Sequence, residues 1–167
     1  MNLYIIRHSL AVEPGTPGFE DDSQRPLIDK GQKRMQDISR GLQALDVRLD
    51  LVLSSPYIRA RQTAEILADG FKMKARPTLT ESLTPMGNPD HLINEINEKY
   101  AVNNLAVVGH EPFLSELISI LLTGGANMFV DMKKGSVCCL AFDGSRLDHN
   151  AILTWLLTPA QLIKIGK

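Results

Sequence analysis

Cysteine is nearly absent from this sequence: Cys138 and Cys139 are the only two, and they are adjacent. Neighbouring cysteines form neither a disulfide framework nor a zinc-binding spacing, so they read as two reduced thiols in a buried strand. Long apolar runs are missing too. No stretch approaches the roughly 20 residues that a membrane span needs. The four apolar residues from Leu3 to Ile6, with no basic segment before them, are too few for a secretory signal core. These absences predict the cytoplasm. Neither sign of charge is in excess: 18 Lys and Arg against 19 Asp and Glu leave a net charge of −1. That argues against bulk attraction to nucleic acid or to an anionic membrane. Repeats, linkers and low-complexity segments are also lacking, and 167 residues suit a single domain over 1–167 with a substantial core.

What is present is an alternation of short apolar runs and amphipathic stretches. Leu3 to Ile6, Leu51 to Leu53 and Leu105 to Val108 read as buried strands. A Gly/Pro-rich acidic loop runs from Glu13 to Arg25. Asp29 and Gln32 stand at capping-box spacing before a helical face of Met35, Ile38, Leu42 and Leu45. Ser55-Pro56 predicts an N-cap and first position for a helix with Ala60, Ala64, Leu67, Ala68 and Phe71 inward. A short strand and irregular loop fill Lys72 to Gly87, and Asn88-Pro89 restarts a helix. Pro112 opens another, facing inward through Leu114, Leu117, Ile118 and Leu121 and ending at Gly124-Gly125. Two further strands are expected near Ser136 to Phe142 and Ala151 to Leu157. Thr158-Pro159 caps a last short helix. The expected fold class is α/β: a three-layer α/β/α sandwich with a mostly parallel central sheet.

Such sheets bind ligands beyond the carboxyl ends of their strands. Three polar groups fall there: Arg7-His8-Ser9 after the first strand, Ser54 to Arg59 after the second, and Gly109-His110 after the third long run. A histidine at a strand end is ordinarily a satisfied core residue. An arginine in a first helical turn is ordinarily solvated, although a cation there opposes the helix dipole and wants a reason. Their coincidence at three strand ends points to an anion. Helix N-termini supply free N–H groups, and arginines supply forked donors matched to phosphate oxygens. Nearby arginines also favour a neutral imidazole, whose lone pair can attack phosphorus. The remaining work is positioning and charge stabilisation, which calls for no metal and no cofactor.

These motifs resemble a known family. Arg7-His8-Ser9 is similar to the Arg-His-Gly signature of the histidine phosphatase, or phosphoglycerate mutase-like, superfamily. Ser55 to Ala64 is similar to its second motif, Val107 to Pro112 to its third, and Arg25-Pro26-Leu27 with Gly31 to an element between the first two. Leu83-Thr84-Pro85 with Gly87, and Trp155, Pro159 and Leu162 near the end, most resemble the small SixA-type phosphohistidine phosphatases. The resemblance implies a phosphoglycerate mutase-like fold and a metal-independent phosphatase that works through a phosphohistidine intermediate. It implies His8 as nucleophile, with Arg7, Arg59 and His110 binding the phosphoryl group and Arg25 adding a substrate contact. Ser9 replaces the usual glycine, and its hydroxyl is a candidate phosphate contact. Glu81 is the candidate general acid, while Asp21 and Asp22 read as solvated loop charges.

A site without a strong acid suits a leaving imidazole, whose pKa is near 6.5, better than a leaving alkoxide. The expected partner is therefore a phosphorylated protein such as a histidine phosphotransfer domain. Lys133-Lys134 reads as a solvated pair that would guide an acidic partner. The competing readings are a phosphatase of small phosphate esters or nucleotides, and a non-catalytic phosphate-binding module.

Overall fold

The structure, a computed structural model, describes residues 1–167. Six strands form one sheet in the order β3-β2-β4-β1-β5-β6. They are β1 (Asn2–Arg7), β2 (Leu51–Ser54), β3 (Thr78–Leu79), β4 (Asn104–Gly109), β5 (Val137–Ala141) and β6 (Ile152–Leu157). The first four are parallel to one another, and β5 and β6 run antiparallel to their neighbours. Five helices cover the faces: α1 (Asp29–Ala44), α2 (Ile58–Gly70), α3 (Pro89–Lys99), α4 (Phe113–Thr123) and α5 (Pro159–Ile165). None is long and apolar enough to cross a membrane.

The unbroken apolar runs follow from burial on both faces. Successive residues of a strand point to opposite sides. Leu3 and Ile5 of β1 therefore join Leu105, Val107, Leu53 and Leu140 in a core covered by α3 and α4. Tyr4 and Ile6 join Val52, Ala106, Val108 and Val137 in a second core, closed by α1, α2 and α5. The adjacent cysteines divide the same way: Cys138 lies in the first core and Cys139 in the second. Burial raises their thiols to about 12 and about 11, so both are inert neutral groups.

The helix starts depart from expectation in places. Asp29 is the first residue of α1, not its cap. The cap is Ile28, which makes no side-chain capping bond. Its backbone N–H instead donates to the Leu10 carbonyl, so the start of α1 is fixed by the loop after β1. Helix α2 begins at Ile58, two residues beyond Pro56, with Tyr57 as its cap; Ser55 Oγ accepts from the Tyr57 N–H at 3.3 Å and also meets His110. Leu45, expected inward, is the exposed C-cap of α1. Asn88, Gly124 and Thr158 cap as expected, Thr158 through a full capping box with Gln161.

Candidate active site

β1 and β4 pair in parallel with Arg7 opposite Gly109, and the His8 N–H donates to the Gly109 carbonyl at 3.0 Å. His8 and His110 therefore leave the sheet at one level, their rings 5.1 Å apart. β2 adjoins β4 on its other side, and the Ser55 N–H donates to the Val108 carbonyl at 3.0 Å. Ser55 Oγ then lies 2.9 Å from His110 Nε2. The ring of Tyr57 meets His110 edge-on at 5.1 Å, with the Arg59 guanidinium 5.1 Å from the Tyr57 centroid. Beside them lies a cavity of about 380 Å³ lined by no hydrophobic residue; Arg7, His8, Arg25, Arg59 and His110 all face it.

His8 is 5% exposed. The Ser9 carbonyl, 2.7 Å away, can only accept, so Nδ1 carries the proton and Nε2 the lone pair. Arg59 Nε donates to that Nε2 at 3.3 Å. Burial pushes the His8 imidazole down to about 3, opposed by the Ser9 bond and reinforced by the charges of Arg59, Arg7 and Lys134. His110 falls to about 2, mainly through burial and then through His8 and Arg59. Both rings are neutral across the physiological range. Two buried nitrogens lack a partner: Arg7 Nε, a donor, and His110 Nδ1, a donor in the tautomer whose Nε2 accepts from Ser55 Oγ. An unpaired buried donor is costly, and an oxyanion in the cavity is a natural acceptor for such groups.

Asp22, taken from the sequence as a solvated charge, stands at the centre of the arginine pair. Its Oδ2 accepts from Arg59 Nη2 at 2.8 Å, and its Oδ1 accepts from Arg25 Nη2 and Nε at 2.6 and 2.8 Å. The Asp22 carbonyl takes Arg59 Nη1 at 2.6 Å, and the Val12 carbonyl takes Arg25 Nη1. Burial works against the charged form of Asp22, but these bonds outweigh it and hold the carboxyl below its ordinary range. The side chain is still half exposed, so the two ion pairs are individually weak. Glu111 and Lys134 also line the cavity. Burial raises the Glu111 carboxyl even though Ser115 donates to it, and its Oε1 has no partner.

Two candidates lie elsewhere. Ser9 is wholly buried, but it turns away from the cavity: its Oγ donates to the Gly31 carbonyl at 2.8 Å, and its N–H donates to Thr63 Oγ1 at 3.1 Å. It braces the loop that carries His8 and is not a phosphate contact. Serine is tolerated there because the backbone is not left-handed; Asp46 and Lys72 are the only non-glycine residues with positive φ. Gly31 cannot be exchanged as readily, since a Cβ would sit 1.9 Å from the Leu10 carbonyl oxygen. Glu81 is exposed in the 3₁₀ turn Glu81–Leu83 and does not line the cavity. The next turn of this loop does reach it, through Pro85. Composition and periodicity give no sign of Asp22; its position three residues before Arg25 was the available clue.

Residues 3–86 match the model of the histidine phosphatase superfamily (branch 1). Over 161 residues the chain is 31% identical to an uncharacterised protein of Picosynechococcus sp., covering 95% of this chain and 96% of that one. It is 27% identical over 167 residues to the phosphohistidine phosphatase SixA of Escherichia coli, with 97% and 96% covered. A solved structure of the protein histidine phosphatase SixA complexed with tungstate superposes with a TM-score of 0.81 at 25% identity, covering 97% of this chain and 99% of that one.

Proposed function

The chain belongs to the histidine phosphatase superfamily, whose phosphoglycerate mutase-like fold it has, and from that premise we propose that it hydrolyses phosphohistidine on a protein through a phosphoenzyme formed at His8. The observation that carries this reading is the tautomer of His8. Its Nδ1–H is tied to the Ser9 carbonyl, so the lone pair stands on Nε2, which faces the arginines and accepts one long bond from Arg59 Nε at 3.3 Å that must give way as phosphorus approaches. Nε2 attacks phosphorus in line, the bond from phosphorus to the substrate nitrogen breaks, and the phosphoryl group moves to His8. Arg7, Arg59 and Arg25 supply positive charge and donors for the equatorial oxygens, and the neutral His110 ring, its Nδ1 unpartnered, stands beside them. Ser9 O then stabilises the positive charge that develops on the His8 ring. Water attacks the phosphoenzyme, inorganic phosphate departs, and His8 returns neutral.

The leaving group follows from the acids available. Glu81 stands outside the cavity, and Asp22 is held ionised by two arginines. A departing imidazole needs little help, because its own pKa of about 6.5 lets it leave protonated. An alkoxide needs a proton donor. The similarity to the phosphohistidine phosphatase SixA of E. coli supports the same substrate class, and the tungstate in the related structure is an oxyanion of phosphate-like shape. A second reading rests on Glu111. Its carboxyl lines the cavity and is raised by burial, so it would serve as proton donor to a small phosphomonoester.

The test begins with brief incubation with labelled phosphohistidine, followed by denaturation. Acid-labile, base-stable label on the wild type, absent from His8→Ala together with a rate loss of roughly 10⁴-fold or more, is expected. Retained turnover by His8→Ala removes the nucleophile assignment, and binding of phosphate without labelling revives a purely binding role. Rates for a phosphohistidine protein and for a panel of phosphate esters then decide the substrate class. Faster ester turnover, lost in Glu111→Gln, selects the second reading.

A further inference from the structure

We propose that the cleft beside the catalytic cavity is the docking surface for an acidic protein that presents the phosphorylated histidine, an inference that rests on the phosphohistidine reading above. The cleft encloses about 740 Å³, against about 380 Å³ for the cavity, and the two adjoin, since Arg7 and Lys134 line both. It adds Arg34 from α1 and Lys133 from the segment before β5, over an apolar floor of Leu10, Pro159 and Ile163. Four cations thus meet one acid, Asp131, in a chain whose net charge is −1.

Arg34 carries the argument furthest. Its side chain is half-buried, yet no carboxylate pairs with it, and Lys133 is unpaired as well. Cations of one cleft that no carboxylate of the chain neutralises attract an anion from outside it. Exposed apolar residues close in sequence to the cavity and cleft linings favour a protein as the source. Met86, beside cavity-lining Pro85, and Phe129, two residues from cleft-lining Asp131, are both almost completely exposed. Large apolar side chains standing bare around a site mark a surface that another protein covers. A small phosphate dianion is served by the cavity alone and leaves the cleft, Met86 and Phe129 untouched. An acidic face with apolar contacts, set around a phosphohistidine, engages all of them, and its charge also steers the encounter.

The experiment compares the wild type with Arg34→Glu/Lys133→Glu. The probes are an acidic histidine phosphotransfer domain, phosphorylated and unphosphorylated, free phosphohistidine, and p-nitrophenyl phosphate. The expected result is a KM for the phosphorylated domain raised roughly tenfold or more at low salt, with kcat within about twofold. Binding of the unphosphorylated domain weakens in parallel, and constants for the two small substrates stay unchanged. The neutral pair Arg34→Gln/Lys133→Gln moves the same way by less, and its retained p-nitrophenyl phosphate turnover separates lost charge from lost fold. An equal rise in KM for free phosphohistidine overturns the proposal, because the cleft then reads a small anion. Domain binding that ignores the charge reversal overturns it whatever the turnover. If the wild type binds the domain through the cleft yet hydrolyses neither phosphohistidine, docking stands and the substrate assignment falls.

Discussion

The floor and the rim of this site are built by different means. The floor consists of His8 and His110, adjacent in space and one step beyond paired strands, both at least 95% buried, with His8 held by the Ser9 carbonyl and His110 by Ser55 Oγ. The rim consists of Asp22, Glu13 and Lys134, carried on loops and engaged in ion pairs that water reaches; Arg25, itself buried, is tied to it through Asp22. Arg59 belongs to both: a buried residue of α2 whose Nε meets His8 and whose terminal nitrogens meet Asp22. The contrast separates two tasks. Rigid, dry groups hold the proposed nucleophile, His8 Nε2, in place and keep it uncharged, while wet, adjustable groups can exchange one anion for another.

Each prediction presses on that contrast. Arg59 joins the two zones, so Arg59→Lys is expected to cost the most: roughly 10²-fold or more in kcat, because an ammonium keeps the charge and loses the fork. Steady-state rates check it, and a loss confined to KM would place Arg59 on the rim alone. The pH response of the floor comes next. With His8 depressed to about 3, activity measured against a substrate of fixed charge should not decline between pH 7 and 5, as an ordinary imidazole of pKa about 6.5 would require. Stability should behave in the opposite way. Both histidines take up protons in the unfolded chain near pH 6.5 but resist them when folded, so this contribution is present above that pH and is lost as pH falls toward about 3. Urea midpoints across that window test the sign.

Asp22→Asn probes the rim and should do less. Freed of its competing carboxylate, the arginine pair should bind inorganic phosphate up to about fivefold more tightly, the scale of exposed ion pairs. Inhibition constants for phosphate measure this. Weaker phosphate binding would mean that Asp22 chiefly holds the arginines in position. Glu81→Gln should do least, changing kcat by less than about twofold on phosphohistidine, since its side chain lies outside the cavity. A large loss would reinstate it as the acid.

The floor was legible in the sequence because its residues follow directly on buried apolar runs. Leu3 to Ile6 puts His8 at a strand end, and Leu105 to Val108 does the same for His110. Pairing of those strands then brings the two histidines together without help from any loop. Layer order, helix faces and most caps were readable for the same reason, being local patterns. The rim was not. Asp22 and Ser9 acquire their roles from contacts with Arg59 and Gly31, which are 37 and 22 residues away. No periodicity encodes such contacts. Glu81 lies apart from the cavity because a 3₁₀ turn, stapled by Thr80 and Ser82 to Glu95, leaves it on the surface, while Pro85 of the same loop reaches the cavity. Ser55, read as a helix cap, proved to be the partner of His110.

The register of β1 on β4 has a consequence for how the protein comes into being. The two strands are separated by about a hundred residues, with Asn2 opposite Asn104 and Arg7 opposite Gly109. Neither histidine is placed until that distant pairing has closed. Chain closures of this length are slow relative to helix formation. A refolding population therefore regains its helical signal before it regains turnover, and the return of activity serves as a clock for the β1–β4 contact.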